Sequence, residues 1–376
     1  MRIEELDYDL PESAIATRPA EPRDAARLMV VERGGSGVRH GVVRDLPEHL
    51  RAGDVLVFNR TRVVAARFQG TRVGTGGRVE GLYLHDAERG EAGSEARMTS
   101  RGEGGGVRWV VMLKGGHLRA GAEVDVGAGV RLRVLGRSER EPEGWEVEVA
   151  GAGGRSSEAI LEAMGRVPLP PYIRRARKHR GESEEEVADR ARYQTVYAGC
   201  EPEAGGSVAA PTAGLHFTEG LLARLDAMGV ERREVVLRVG MGTIRPVETA
   251  TVQEHAMHAE WFEVPAATRG AIARARAEGR RVIAVGTTTV RALESVESME
   301  GETGWRQTRL LIAPGWRFRF VDGLLTNFHL PRSTLMAMVG AFLEGGGGVA
   351  RLRALYAEGV AQGYRFYSYG DAMLIV

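Results

Sequence analysis

The spacing of apolar residues changes near residue 155, and this change constrains the fold of the 376-residue chain more than any other feature. Between residues 63 and 155, short runs alternate apolar with polar residues, as at 78–85 and 107–113, and glycines separate the runs. Alternation with a period of two is typical of half-buried strands, so this region predicts a small antiparallel β-barrel. The Gly-, Glu-, Arg- and Ser-rich segment 86–106 lies between two of these strands and is interpreted as a mobile hairpin loop.

Beyond residue 155, strand-like and helix-like patterns alternate, which predicts layers of helices on a sheet. Residues 1–62 contain one clear strand, at 54–58, and we expect them to pack with this later part. The predicted fold class is therefore α/β: a layered α/β domain formed by residues 1–62 and 156–376, with a small antiparallel β-barrel domain inserted at 63–155. The predicted helices are 157–164, 219–228, 267–278, 289–299, 334–343 and 349–362, and the predicted strands are 234–239, 281–285 and 308–312.

A charged region separates the predicted barrel from the later helices. Residues 168–180 begin Pro-Leu-Pro-Pro, and proline fixes φ and removes an N–H donor, so the start of this segment is not helical. Its basic end, followed by the acidic segment 182–189, predicts a flexible charged stretch.

The segment 206–218, Gly-Ser-Val-Ala-Ala-Pro-Thr-Ala-Gly-Leu-His-Phe-Thr, is suited to lining a ligand site. Gly206 and Gly214 allow a ligand to approach the main chain, and Thr212 and His216 supply polar side chains. Thr218 precedes an apolar helical pattern and is predicted to cap that helix, which places His216 near a helix N-terminus that favours anions. The alternative is a structural loop that buries a hydrogen-bonded histidine.

Three more polar, Gly-, Thr-, Asn- or His-containing segments follow predicted strands or precede a helix. They are 239–243 (Val-Gly-Met-Gly-Thr), 286–289 (Gly-Thr-Thr-Thr) and 325–334 (Leu-Thr-Asn-Phe-His-Leu-Pro-Arg-Ser-Thr). In open α/β sheets, ligands bind at the carboxyl ends of the strands. The recurrence therefore predicts one ligand site assembled at that edge.

The amino-acid composition and the absence of certain motifs exclude or disfavour several kinds of functional site. Lys114 and Lys178 are the only lysines among 51 basic residues, and the net charge is +1. Cys200 is the only cysteine, which excludes an internal disulfide and any multi-cysteine metal site. No Gly-x-Gly-x-x-Gly follows an early strand, which disfavours an ordinary dinucleotide-type methyl transfer. The chain starts without an apolar signal segment and has no run long enough to span a membrane, so we expect a cytoplasmic protein without membrane contact.

Nearly end to end, the chain resembles the S-adenosylmethionine:tRNA ribosyltransferase-isomerase family of queuosine biosynthesis. The matching blocks lie in order along the sequence, at 7–11, 55–59, 61–63, 168–173, 193–197, 206–218, 255–258 with Glu260, 284–288, 326–331 and 369–373. The resemblance implies an α/β domain that carries an inserted β-barrel.

The resemblance also implies a reaction. The ribosyl part of S-adenosylmethionine is transferred to 7-aminomethyl-7-deazaguanine at the wobble position of a tRNA with a GUN-type anticodon, epoxyqueuosine forms, and adenine and methionine leave. S-adenosylmethionine is then a consumed substrate, no cofactor or metal is expected, and we expect a monomer. Two alternatives stay open: a paralogue acting on another nucleobase, and a non-catalytic RNA-binding protein.

Three residues depart from the family pattern. Arg60 stands where Asp is typical, Ala26 where Ser is typical, and Thr289 where Ser is typical. If Arg60 faces the ligand, replacing an anion by a cation changes substrate choice. If it faces solvent, the departure has no consequence for the site.

The implied chemistry requires a base and a proton donor. A sulfonium next to C5′ acidifies the C5′ protons, and departure of adenine needs a proton. Histidine exchanges protons near neutral pH, so His216, His258 and His329 are the catalytic candidates, with His216 as the first choice and the other two next, and each has a purely structural role as the alternative. His255 and His258 with Glu254 and Glu260 lack a metal-binding spacing, so no metal site is predicted.

Substrate contacts are assigned by donor chemistry. Gly286, Thr287 and Thr288 at a predicted helix start, with Arg291 one turn later, suit the methionine carboxylate. The other substrate-binding candidates are Thr212, Gly214, Gly242, Thr243, Asn327, Asn59 and Arg62. Single-stranded RNA is recognised by stacking and by arginine, and the candidates for RNA binding are Tyr172, Tyr193, Tyr197, Arg174 and Arg175, with Arg177 and Arg180 as further phosphate contacts.

Overall fold

The strands of the protein form two separate structures, a nine-stranded mixed sheet and a closed six-stranded barrel. The computed structural model describes residues 1–87, 107–115, 118–139, 141, 143–199, 206–240 and 249–376. The strands are β1 Arg27–Val31, β2 Val38–Val42, β3 Val55–Asn59, β4 Arg67–Arg72, β5 Arg78–Asp86, β6 Val107–Lys114, β7 Glu123–Gly127, β8 Val130–Arg137, β9 Trp145–Ala150, β10 Glu231–Leu237, β11 Glu260–Glu263, β12 Val282–Val285, β13 Arg306–Thr308, β14 Gly323–Asn327 and β15 Ala372–Ile375. The α-helices are α1 Ser157–Met164, α2 Pro171–His179, α3 Glu186–Arg192, α4 Glu219–Ala227, α5 Ala266–Ala277, α6 Thr287–Glu294, α7 Thr334–Phe342 and α8 Gly348–Ala361.

The barrel follows the order β4-β5-β6-β9-β8-β7 with antiparallel neighbours throughout. Along β7 and β8, buried residues alternate with exposed ones, because one face of each strand fills the barrel. Phe68, Trp109 and Leu132 are fully buried in its interior. The predicted fold class, an α/β fold with an inserted antiparallel β-barrel, is confirmed. The domain boundaries at 63 and 155 stay a prediction, and of the predicted loop 86–106, residues 88–106 lie outside the described residues.

The large sheet has the order β13-β11-β10-β3-β12-β14-β15-β1-β2. Strands β10, β3, β12 and β14 run parallel to one another in its middle. All five residues of β3 are buried, as expected for a parallel strand covered on both faces. Val55 and Val57 share a core cluster with Ile272 of α5, whereas Leu56 shares one with Leu225 of α4.

The strand predicted at 308–312 is wrong except for its first residue, because the later backbone bonds elsewhere. The sheet ends at Thr308, and the Leu310 N–H donates to the Thr308 hydroxyl at 3.0 Å. The Leu310 carbonyl accepts from the Arg291 Nε at 3.1 Å. The helix cap predicted at Thr218 is confirmed, since its hydroxyl accepts from the Leu221 N–H at 3.1 Å.

The prediction of a flexible charged stretch after residue 168 is also wrong. Pro171 opens helix α2, a position where its missing N–H is harmless, and α3 follows. Arg177 of α2 and Asp189 of α3 form a two-pronged ion pair at 2.6 and 2.7 Å, with each residue only 3% exposed. Arg177 also donates to the Thr17 carbonyl, so it is not available for the phosphate contact predicted for it.

Among the described residues, no helix combines the length and apolar character that crossing a bilayer requires.

Replacing Asp189 by alanine tests this pair. We expect Asp189→Ala to lower the free energy of unfolding by about 3–5 kcal/mol, because it leaves the buried Arg177 guanidinium without its counterion. The matched control is Asp226→Ala, which breaks a half-exposed pair with Arg232 and should change the free energy of unfolding by less than about 1 kcal/mol. Urea unfolding of both variants provides the measurement, and equal losses would contradict the assignment.

Candidate active site

The carboxyl ends of four parallel strands meet at one edge of the sheet. Strands β10, β3, β12 and β14 end there at Leu237, Asn59, Val285 and Asn327. Strand β15 is antiparallel to β14 and begins at the same edge, opposite Asn327. The polar segments that follow these strands in the sequence are therefore brought together.

A cavity opens at this edge and has about 720 Å³ of space, its open mouth included. Eight predicted site residues line it: Thr212, Gly286, Thr287, Thr288, Asn327, His329, Tyr172 and Tyr193. The lining also includes Ala209, Ala210, Val239 and Leu330, which lie in segments predicted to line a ligand site, and Leu335, Tyr367 and Ser368, which the sequence did not single out.

One wall of the cavity is the start of helix α6. Gly286 follows β12 with a φ of 89°, a conformation that favours glycine, and turns the chain into the helix. The Thr289 hydroxyl donates to the Val285 carbonyl at 2.7 Å and fixes this turn. The first N–H groups of a helix have no acceptors within it, so the Thr287 and Thr288 end of α6 favours an anion.

The side-chain amide of Asn327 connects three of the predicted polar residues. Its Oδ1 accepts from the Thr212 hydroxyl at 2.9 Å. Its Nδ2 donates to His216 Nε2 and to the Tyr367 carbonyl, both at 3.2 Å. Thr212 and Asn327 line the cavity, whereas His216 lies behind Asn327 and is 4% exposed. Burial lowers the pKa of His216 to about 4, so its imidazole is neutral near pH 7.

His329 lines the cavity directly and follows β14. Its Nε2 lies 2.8 Å from the Thr326 hydroxyl, and its backbone N–H donates to the Tyr356 hydroxyl at 3.0 Å. The Tyr8 hydroxyl donates to the His329 carbonyl. Burial lowers the pKa of His329 to about 3, so this imidazole is also held in its neutral, proton-accepting form.

Another part of the cavity wall is aromatic. The rings of Tyr172 and Tyr367 meet edge to face with centroids 4.6 Å apart, and the Tyr172 hydroxyl lies 2.5 Å from the Ser368 hydroxyl. Tyr193 lines the cavity nearby. Tyr367 and Ser368 were missed in the sequence, although they lie just before the block 369–373 that carries part of the family resemblance.

Several predicted site residues lie away from the cavity lining. Arg291 is buried, where it pairs with Glu260 and donates to Leu310. Gly214 lies against the Tyr197 hydroxyl, where an added Cβ would be 1.8 Å from that oxygen. Arg62 and His258 are exposed, and Arg174 and Arg175 lie farther along α2. Gly242 and Thr243 lie outside the described residues.

Asn59 and Arg60 also contact protein groups. The Asn59 amide is buried and bonds to Leu237, Thr61 and Thr288. Arg60 lies 3.4 Å from the Glu234 carboxylate and is absent from the cavity lining. The Arg60 side chain is therefore not shown in contact with the ligand cavity. It is also not fully exposed to solvent, since only 19% of it is accessible.

Within the described ranges, no group of three or more His, Cys, Asp or Glu side chains is arranged to hold a metal ion. His255, His258, Glu254 and Glu260, at which the sequence predicts no metal site, lie within these ranges.

The sheet, its edge cavity and the inserted barrel define an α/β protein with a polar site at the strand ends. A family model described as queuosine biosynthesis protein matches residues 3–375. The chain therefore belongs to the queuosine biosynthesis protein family, as its resemblance predicted.

Full-length relatives have consistent names. Proteins named S-adenosylmethionine:tRNA ribosyltransferase-isomerase from Moorella thermoacetica and Sorangium cellulosum are 45% and 46% identical to all of this chain, over 100% and 98% of their own lengths. One from Phenylobacterium zucineum is 47% identical, over 100% of this chain and 99% of its own. The crystal structure of S-adenosylmethionine tRNA ribosyltransferase from Thermotoga maritima is similar with a TM-score of 0.50 and 30% identity, covering 99% of this chain and 100% of the other.

The lowered pKa values of the buried histidines predict a pH-dependent stability. Between pH 6.5 and the folded-state pKa of His329, only the unfolded chain binds a proton at this site, so stability falls as the pH falls. Replacing His329 by glutamine should reduce the slope of the free energy of unfolding against pH. Between pH 6 and pH 4 we expect the reduction to be about 1.4 kcal/mol per pH unit.

Chemical denaturation at several pH values measures this slope. The control is His258→Gln, since His258 is exposed and its replacement should leave the slope as in the parent protein. An equal slope in the parent and in His329→Gln would show that His329 is not held neutral by burial.

Proposed function

We propose that this chain is an S-adenosylmethionine:tRNA ribosyltransferase-isomerase. It transfers and isomerises the ribosyl moiety of S-adenosylmethionine onto 7-aminomethyl-7-deazaguanine at the wobble position of a tRNA with a GUN anticodon, and it releases adenine and methionine. The observation that carries the proposal is full-length identity of 45–47% to proteins of this name. A cavity formed by the segments that match the family supports it. The relatives' names favour neither another acceptor base nor a non-catalytic RNA-binding role.

The methionine carboxylate is placed at the start of α6. Gly286, Thr287 and Thr288 line the cavity there, and the helix N-terminus stabilises negative charge. Arg291, the other candidate for this role, is already paired with Glu260 and donates to Leu310. The backbone N–H groups and threonine hydroxyls are therefore better supported as donors than the guanidinium.

The base that takes a C5′ proton is assigned to His329. The sulfonium stabilises the negative charge that develops at C5′, and His329 is the catalytic candidate that lines the cavity. Its neutral imidazole has the protonation state that a base requires. His216 is assigned a positioning role, since it contacts Asn327 and lies behind it.

The aromatic wall is assigned to a nucleobase. Tyr172, Tyr193 and Tyr367 all line the cavity, and the rings of Tyr172 and Tyr367 are in contact. Flat aromatic surfaces stack on unpaired bases, and a wobble base in an anticodon loop is accessible for such stacking.

We further propose that the reaction needs no metal, and that the chain works as a monomer in the cytoplasm, where tRNA and S-adenosylmethionine are available. The sulfonium is itself the electrophilic group, which removes the need for a Lewis acid. The monomer is supported by the surface: among the described residues, the exposed large hydrophobic side chains are the scattered Val73, Val187 and Val196.

Turnover with defined substrates tests the function. With S-adenosylmethionine and tRNA that carries 7-aminomethyl-7-deazaguanine, we expect adenine, methionine and modified nucleoside in equal amounts, measured by liquid chromatography. A chelator added after the tRNA has been folded should leave the rate unchanged. Release of S-adenosylhomocysteine in place of adenine would indicate methyl transfer and overturn the proposal.

Substitution of two histidines separates their roles. We expect His329→Gln to lower single-turnover adenine release by about 100-fold or more, the usual effect of losing a general base. His216→Ala and Asn327→Ala should each lower it, and the double variant should be no slower than the slower single variant, because the two residues act as one unit. His40→Gln, at the far edge of the sheet on β2, is the control.

Melting temperatures of the same preparations show whether each variant is folded. A change of less than about threefold in folded His329→Gln would reject His329 as the base. His216 or His258 would then be the base if its own replacement had the 100-fold effect.

A further inference from the structure

A charged groove lies between helix α2 and barrel strands β5 and β6, next to the cavity. We call it the α2–barrel groove. Glu80 and Lys114 form its barrel side, and Arg174, Arg175 and Lys178 form its α2 side. Glu182 and Glu184, between α2 and α3, also line it.

Both lysines of the chain line this groove. The other lysine-or-arginine positions of the chain are all arginine, yet Lys114 on the barrel and Lys178 on α2 line the same space and are exposed. Arginine forms two-pronged pairs with carboxylates, whereas a lysine ammonium is a compact charge with rotatable donors. The groove is thus the place in the molecule where cations suited to single phosphate oxygens come together.

The carboxylates of the groove are already paired with arginines. Glu184 accepts from Arg67 at 2.7 Å and from Arg174 at 3.1 Å, and the hydrogen bond from Arg67 lowers the pKa of Glu184 to about 2. Glu80 lies 3.6 Å from Arg174, and Glu182 lies 4.0 Å from Arg18. Their negative charge is therefore compensated by neighbouring guanidinium groups.

Three cations of the groove are left without a carboxylate partner within the described ranges. Among the residues that the structure describes, Lys114, Arg175 and Lys178 have no carboxylate within ion-pair distance, and all three are exposed. Lys114 is opposite Glu80 in the β5–β6 register, but the Glu80 carboxylate is directed to Arg174. In the described part of the chain, the groove consequently has cations without a carboxylate partner on both of its sides, Lys114 on the barrel and Arg175 and Lys178 on α2.

Neighbouring residues at the start of α2 line the cavity and the groove. Pro170 and Tyr172 line the cavity, whereas Pro171, Arg174 and Lys178 line the groove. Tyr172 and Lys178 are six residues apart on one helix, which corresponds to about 9 Å along its axis. A strand whose base enters the cavity beside Tyr172 therefore passes the cations of α2 with its adjoining backbone.

We propose that the α2–barrel groove binds the phosphate backbone of the tRNA next to the base that enters the cavity. Lys114, Arg175 and Lys178 contact phosphate oxygens, and the inserted barrel provides one wall of an RNA-binding groove through Lys114. This proposal rests on the proposed function, because it takes tRNA as the substrate and the cavity as the place of reaction.

Salt dependence provides the test, since each lost phosphate contact in a single-stranded segment reduces the slope of log Kd against log salt by about 0.7. We expect the double variant K114Q/K178Q to reduce that slope by about 1.4 between about 50 and about 200 mM salt. The ligand is tRNA that carries 7-aminomethyl-7-deazaguanine, and each single variant should give half the effect. Affinity for S-adenosylmethionine, measured by calorimetry, should be unchanged.

Two variants serve as matched controls. R309Q/R353Q removes the same charge from exposed arginines outside the groove and should leave the slope as in the parent protein. K114R/K178R keeps both charges and should retain the slope. Since Lys114 and Lys178 are exposed, the glutamine variants should melt at the parent temperature.

The outcomes separate this proposal from the proposed function. If the parent turns over tRNA but K114Q/K178Q keeps the parent slope, the groove assignment is overturned and the proposed function stands. If R309Q/R353Q reduces the slope as much as K114Q/K178Q does, the effect comes from net charge and the groove assignment is also overturned. If the parent neither binds nor modifies the tRNA, both proposals fail.

Discussion

The arrangement of the cavity depends on the side-chain amide of Asn59, at the end of β3. Its oxygen accepts from the N–H groups of Thr61 and Leu237, and its nitrogen donates to the Leu237 carbonyl and to the Thr288 hydroxyl. All the hydrogen-bonding capacity of the amide is thus used by protein groups. A buried amide in this state has one orientation, so it joins the ends of β3 and β10 to the first turn of α6. Thr288, on the cavity wall, is held from behind by this contact.

The fold could be predicted where the order of apolar and polar residues depends directly on which faces of a strand are buried. Alternation in β7 and β8 reflects a barrel with one solvent-facing side, and the unbroken run of β3 reflects burial on both faces. Interactions between residues that are distant in sequence cannot be predicted from such local patterns. The ion pair between Arg177 and Asp189 orders a stretch whose local composition is typical of a flexible segment. Strands β1, β2 and β15 were missed, because pairing with distant strands defines them as much as their short sequences do.

The location of the candidate site was easier to predict than the direction of its side chains. Polar residues after parallel strands must meet at one edge, and Thr288, Asn327 and His329 do so. Sequence spacing does not determine which neighbour faces the cavity. Thr212 lines it, whereas His216, four residues later in the same 3₁₀ turn, contacts Asn327 from behind. Arg291 follows the predicted helix start but is directed to Glu260, a residue distant in sequence.

The position of the barrel in the chain has a consequence for the order of folding. β3 ends shortly before the barrel, yet its neighbours in the sheet, β10 and β12, start at residues 231 and 282. The strand pairs that close the barrel all lie within residues 67–150, and contacts that are close in sequence form faster than distant ones. During synthesis the barrel can therefore close before β10 and β12, the two neighbours of β3 in the sheet, have been synthesised. The edge that holds Asn59 is completed later, so the binding site is among the last parts of the molecule to assemble.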